Sequence, residues 1–300
     1  MAHQNVPPAP EPGALLLTFL PCASPSPKRL SEPNRLSKLQ ITVKLSRLDE
    51  IGRCLCSRAV SNIHFVGGEK GGVGKSVLSR VLAQYFIDHQ LPFAGADADT
   101  SHGALLRYYS DYTQAVDLEQ FESSDQIMDR ALGAERDVLV DLPAQSARLL
   151  KRWLESGDVV DFAREMGVGL TFWHVTDGGY DSVRELESVL SAFEGSLSFV
   201  VAKNYGRSPD FSQFDESRAI DALAARGGRV VSLPALDPAT MYKIDRNGAS
   251  FWAAIHSIDP DLVLRPMERQ RVKLWLTEAY KGIASVIGPE RRFASEESHD

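Results

Sequence analysis

Cysteine, long apolar runs and surplus positive charge are all scarce in this 300-residue chain, and each scarcity excludes a class of protein. The three cysteines, Cys22, Cys54 and Cys56, fall in the first sixty residues, too few for a disulfide-stapled scaffold. Cys54 and Cys56 are one residue apart with no nearby His or Cys to complete a tetrahedral metal site, so they read as reduced thiols. Such sparse cysteine suits a reducing compartment, and we expect a cytoplasmic protein. The longest apolar run, Ala14 to Leu20, contains Thr18 and is far shorter than the ~20 residues that span a bilayer. No membrane association is expected. Lys and Arg number 33 against 40 Asp and Glu, for a net charge of −7, so no overall positive field draws the chain onto nucleic acid. With 43% hydrophobic and 24% charged residues the chain is not wholly disordered.

The scarcities are not evenly spread. Residues 1–60 hold 8 of the 16 prolines, with 8 basic and only 4 acidic side chains, which leaves a net −11 on the rest. Prolines at 7, 8, 10, 12, 21, 25, 27 and 33 forbid a long helix or central strand there, and 1–60 reads as a disordered tail. Leu15–Leu20 is not expected to be a secretory signal, because no positive charge precedes it and prolines flank it. From residue 61 the pattern becomes strand, loop, helix, repeated. Short β-rich apolar runs occur at Ile63–Val66, Phe93–Ala96, Val138–Val140, Gly169–Val175, Leu197–Ala202 and Val230–Leu233. Between them lie helical stripes: Val77, Leu78, Val81, Leu82, Tyr85 and Phe86; Val183, Leu186, Val189, Leu190 and Phe193; and Val272, Trp275, Leu276, Ala279, Tyr280 and Ile283. This alternation predicts an α/β fold, a mostly parallel doubly wound sheet flanked by helices, over residues 61–287. Residues 288–300 read as a flexible acidic end.

The run Gly67-Gly68-Glu69-Lys70-Gly71-Gly72-Val73-Gly74-Lys75-Ser76 follows the first strand and opens the first helix. Glycines let backbone amides of Gly71, Gly72, Val73 and Gly74 curl around an anion, and the helix N-terminus adds partial positive charge. In such a loop Lys75 reaches β- and γ-phosphate oxygens and the Ser76 hydroxyl ligates Mg²⁺. The standard P-loop pattern requires glycine at position 69, where this chain has Glu69. The pattern that does match is K-G-G-x-G-K-[ST], with Lys70 as an additional lysine. An apolar strand ending in a carboxylate, Val138-Leu139-Val140-Asp141, is the Walker B arrangement, with Asp141 holding Mg²⁺ through water. Asp97 and Asp99, at the end of the second strand, point to the same side if extended and lie where open α/β sheets bind ligands.

On these motifs the chain resembles the ParA/MinD family of deviant Walker A P-loop ATPases over roughly residues 61–285. The resemblance implies bound ATP and Mg²⁺, and an ATP-dependent homodimer in which Lys70 reaches the partner's nucleotide. It also implies that Asp97 lies near the Mg²⁺ shell and that Asp99 orients the attacking water. In related nucleotide-binding sheets a polar residue after the strand that here runs Phe199–Ala202 touches the base, a role that falls on Asn204 after Lys203, with Pro234 and Leu236 on the same side. The expected output is slow, dimer-dependent ATP hydrolysis, stimulated by a protein partner, that positions or partitions a cargo in plasmid segregation or conjugal mobilisation. Two alternatives use the same cradle: a small-molecule phosphotransferase or ligase, and a regulatory protein that binds ATP without turnover.

Some features set the chain apart from particular relatives. No cysteine follows the loop, so an iron–sulfur cluster is not expected. No terminal tyrosine cluster or basic amphipathic end is present. Only about forty residues separate Asp99 from Asp141, so a β–α portion of the usual domain is expected to be shortened or missing. Arg265, Arg269, Arg271 and Lys273 form the best local basic cluster for non-specific DNA binding, beside Glu268. Tyr108, Tyr109, Tyr112, Trp153 and Trp252 read as core or partner surface.

Overall fold

Ile63 and Phe65 point to one side of their strand, His64 and Val66 to the other, and all four are buried. A strand with no wet face needs a helical layer on both sides. The computed structural model describes residues 61–68, 70–99, 103–133, 136–259 and 264–288. The proline-rich segment with its cysteines, Glu69 and the acidic end lie outside the described residues.

The strands are β1 (Ser61–Gly67), β2 (Phe93–Asp97), β3 (Thr113–Ala115), β4 (Asp137–Asp141), β5 (Val168–Thr176), β6 (Ser198–Asn204) and β7 (Arg229–Leu233). They form one sheet in the order β3-β2-β4-β1-β5-β6-β7, and every pairing is parallel. The helices are α1 (Lys75–Asp88), α2 (Ala104–Tyr108), α3 (Phe121–Leu132), α4 (Ala147–Glu155), α5 (Val159–Glu165), α6 (Tyr180–Ala192), α7 (Ser212–Asp215), α8 (Arg218–Ala225), α9 (Pro238–Arg246), α10 (Phe251–His256) and α11 (Pro266–Ile287). The expected α/β class holds, and the sheet is wholly parallel.

All six expected strands are present, with their ends shifted by a residue or two. β3 is additional. Two of its three residues are exposed, so it leaves no apolar run to read. It explains the short distance from Asp99 to Asp141, because the expected β–α portion is there in reduced form, as a five-residue α2, a three-residue β3 and α3.

Two apolar layers cover the sheet. On one face, Leu78, Val81 and Leu82 of α1 join Val272, Trp275 and Leu276 of α11 over Val66, Leu139, Trp173 and Val200. On the other, Ile127 of α3, Leu150 and Trp153 of α4 and Leu186 and Leu190 of α6 cover Phe65, Val140, Phe172 and Val201. Helix α1, which follows β1, therefore packs on the opposite face from α4 and α6, which follow its neighbours β4 and β5. Connections that part to opposite faces open a crevice at the strands' C-terminal ends, the switch point where such sheets bind ligands. The glycine-rich loop starts there.

Candidate functional site

The loop leaves β1 at Gly67 and enters α1 at Lys75. Gly72 has φ +78° and Gly74 has φ +105°, a region that side chains disfavour. At Gly74 there is a second constraint, since a Cβ would lie 2.1 Å from Asn204 Nδ2. No acidic residue occupies the first turn of α1, so its amide end is left for an external anion. A cavity of about 470 Å³ opens at this point, lined by Gly71, Gly72, Gly74, Lys75, Ser76, Val77, Asp99, Pro143, Ala144 and Arg207. Lys75 Nζ donates to the Lys70 carbonyl oxygen at 2.9 Å, which folds the loop over its own lysine.

Asp97 and Asp141 end adjacent parallel strands and are register partners. Both are buried. Burial pushes the Asp97 carboxyl up, partly offset by the amides of Leu106 at 2.8 Å and Asp99 at 3.1 Å, which donate to its two oxygens. Burial also pushes Asp141 up, to about 7; Ser79 Oγ, donating at 2.8 Å, opposes the shift, and the charges of Asp97 and Asp99 add to it. The other oxygen, Asp141 Oδ2, is buried with no hydrogen-bond partner. Buried neighbouring carboxylates, one of them raised by the charges beside it and carrying an orphaned buried acceptor, make a place that a cation would relieve. Among the described residues no three His, Cys, Asp or Glu side chains converge as a self-sufficient metal site. That fits Mg²⁺, which takes one or two carboxylates and completes its shell with phosphate oxygens and water.

The extra lysine is arranged differently from Lys75. Lys70 stands outside the cavity wall. Its ammonium donates to Asp177 Oδ2 at 2.7 Å and its backbone amide to Glu185 Oε2 at 2.8 Å. Asp177 follows β5 and Glu185 lies on α6, so the loop is tied across to the next connection. The bond to Asp177 raises the Lys70 ammonium above its ordinary value. Burial pushes Asp177 up, but the hydrogen bonds donated by the Lys70 ammonium and the Gly179 amide to its two oxygens help to outweigh it, and the carboxyl is held low. With Lys70 35% exposed, the pair is screened and exchangeable.

Asn204, at the end of β6, is buried beneath the loop. Its Nδ2 donates to the Val73 carbonyl at 2.7 Å and its Oδ1 accepts from the Gly206 amide at 3.0 Å. It also lines a second cavity of about 270 Å³ with Val77, Gly206, Arg207, Leu233, Pro234, Leu236, Pro238, Met241, Tyr242, Asp245 and Trp275. Pro234 and Leu236 line the same cavity as Asn204. Val77 and Arg207 line both cavities, which abut at these two residues. Beside this second cavity, Asp245 pairs with the buried Arg80 at 2.7 Å, whose guanidinium lies 3.8 Å from the Tyr108 ring centroid. Asp177, Glu185 and Arg207 were not among the expected site residues. Each is polar and lies on or beyond a connection that leaves a strand's C-terminal end, and that position is the signal that could have found them.

Elsewhere, Arg269 of the basic cluster is spent on the carbonyl oxygens of Leu264 and Ser257. Glu268 accepts from the Arg265 amide at the start of α11. The remaining guanidinium of Arg271 and ammonium of Lys273 belong to exposed residues. Tyr108, Tyr109 and Trp153 are core, and Trp252 is partly buried against it. Among the described residues no helix is long and apolar enough to cross a membrane.

A glycine-rich loop at the C-terminal end of the central strand of an all-parallel, helix-flanked sheet defines the fold class, an α/β fold with a P-loop-type turn. The chain is similar to protein TraL of Escherichia coli, 27% identical over 227 residues that cover 72% of this chain and 94% of TraL. It is also similar to protein MobD of Acidithiobacillus ferrooxidans, 23% identical over 233 residues that cover 75% of this chain and 98% of MobD. No family model matches. Among solved structures it is similar to the MinD cell division protein of Aquifex aeolicus, 13% identical over 73% of this chain and 97% of that one, with a TM-score of 0.38.

Proposed function

We propose that this chain is an ATP-driven dimerisation switch of ParA/MinD type that serves plasmid transfer. Two subunits close face to face on ATP, and slow hydrolysis releases them. Lys75 and the loop amides hold the β- and γ-phosphates, and Ser76 and Asp141 hold Mg²⁺, with Asp97 beside them. Bound Mg²⁺ would neutralise charge on the phosphate oxygens. Asp99, on the cavity wall, orients the water whose oxygen bonds to the γ-phosphorus as the bond to the β–γ bridging oxygen breaks. ADP and phosphate leave.

The observation that carries this is the division of labour between the two lysines. Lys75 lines the phosphate cavity, whereas Lys70 is held outside it by Asp177 at 2.7 Å. A cation parked on an exchangeable carboxylate is available to a second subunit's phosphates, where it would offset charge developing in the transition state, as an arginine finger does. A phosphotransferase working as a monomer needs no such lysine. The Tra and Mob names of the curated relatives favour transfer or mobilisation over partition as the setting. A protein partner would stimulate turnover.

The test is Asp99→Ala. It should lower ATP turnover by ~10²-fold or more and leave the protein as a long-lived dimer in Mg-ATP, measured by phosphate release and light scattering. Full turnover by the variant, or a monomer in ATP, contradicts the switch.

A further inference from the structure

Arg207 has an unusual position for an exposed arginine. It sits in the turn after β6, and that turn is built by Asn204. The Asn204 carbonyl accepts from the Arg207 amide at 3.0 Å, while the Asn204 side chain grips both the Gly206 amide and the phosphate loop at Val73. The turn is therefore fastened to the loop through a single buried residue. Yet the Arg207 guanidinium makes no hydrogen bond or ion pair among the described residues, whereas its neighbour Lys203 is paired with Asp215. The side chain lines both cavities. A nucleotide with its β- and γ-phosphates on the loop and its base between Pro234, Leu236 and Tyr242 must pass its α-phosphate and ribose through the junction that Val77 and Arg207 share.

Building on the proposed nucleotide-binding site, we propose that Arg207 is a nucleotide-binding residue acting in cis on the α-phosphate and the ribose edge. Its planar fork suits a phosphate oxygen pair. It is distinct from the loop, because it recognises the part of the ligand that every adenine nucleotide carries. Arg207 therefore sets affinity for the nucleotide as a whole, and Lys75 sets preference for the number of phosphates.

Calorimetric titration of the full chain with Mg-ATP, Mg-ADP and pyrophosphate distinguishes these contributions. Arg207→Ala should weaken ATP and ADP by the same factor, about tenfold or more for one lost charge-assisted contact, and leave pyrophosphate unchanged. Arg207→Lys should fall between, keeping charge without the fork. The melting temperature should not move, since the guanidinium supports nothing else. Unchanged ATP affinity in Arg207→Ala overturns the assignment, and so does an equal loss for pyrophosphate, which would move the contact to the β- and γ-phosphates. If the unaltered protein binds none of the three ligands, the nucleotide-binding site itself fails, a different result from either of these.

Discussion

The two cavities that meet at Val77 and Arg207 are built in opposite ways. The phosphate cavity is largely local. Gly71, Gly72, Gly74, Lys75, Ser76 and Val77 are seven consecutive positions less one, and backbone conformation alone shapes their concavity. The second cavity is assembled from β6, β7, α9 and α11, with Asn204, Leu233, Met241 and Trp275 coming from four separate elements. Its walls are apolar except where Asn204, Arg207, Tyr242 and Asp245 enter. On the proposed reading, anion recognition would rest on a steeply constrained loop, and recognition of the rest of the ligand on a packed surface that tolerates change. A contact in the first should be hard to replace, and one in the second should be worth little by itself.

The largest expected effect comes from Gly74→Ala. The new methyl group would have to displace the Asn204 amide from 2.1 Å while the residue keeps φ +105°. Strain at such a position costs about 1–3 kcal/mol, and the Asn204–Val73 hydrogen bond is lost with it. Binding of both Mg-ATP and pyrophosphate should fall by ~100-fold or more in calorimetry. If only ATP were affected, the loop would not be the phosphate site. A smaller effect is expected from Tyr242→Ala, because that ring is 65% exposed on the second cavity. ATP affinity should drop about three- to tenfold, in line with roughly 0.5–1.5 kcal/mol for an aromatic contact, and pyrophosphate affinity should not change. A loss for pyrophosphate as large as for ATP would erase the distinction between the cavities.

The same contrast governs what the amino-acid sequence alone makes legible. The loop was legible because its glycines and lysines are neighbours in the sequence, and β1 and β4 were legible because both faces are apolar. β3 was not, since it survives by pairing with β2 and buries little of its own. Asn204 was expected to face the base. The structure adds its fastening of a loop 131 residues earlier, a contact that no spacing encodes. The partner of Lys70 lies 107 residues away, and it was found only once β5 lay beside β1. Arg80 is buried on α1 because Asp245 of α9 pairs with it and the rings of Tyr108 and Phe251 stack on it, and Gln84 because its Oε1 accepts from the Tyr109 hydroxyl and the Trp252 amide, so a stripe of apolar residues could not announce them.

Everything proposed for the switch depends on Lys70 leaving Asp177 for a second subunit. The most direct measurement is the mass in solution of the unaltered protein and of Lys70→Ala, each saturated with Mg²⁺ and a non-hydrolysable ATP analogue. The account predicts that the unaltered protein moves to about twice its 33.0 kDa chain mass, while Lys70→Ala binds the analogue with similar affinity and stays single. An unaltered protein that binds the analogue yet remains a monomer, or a Lys70→Ala variant that dimerises equally well, would contradict it.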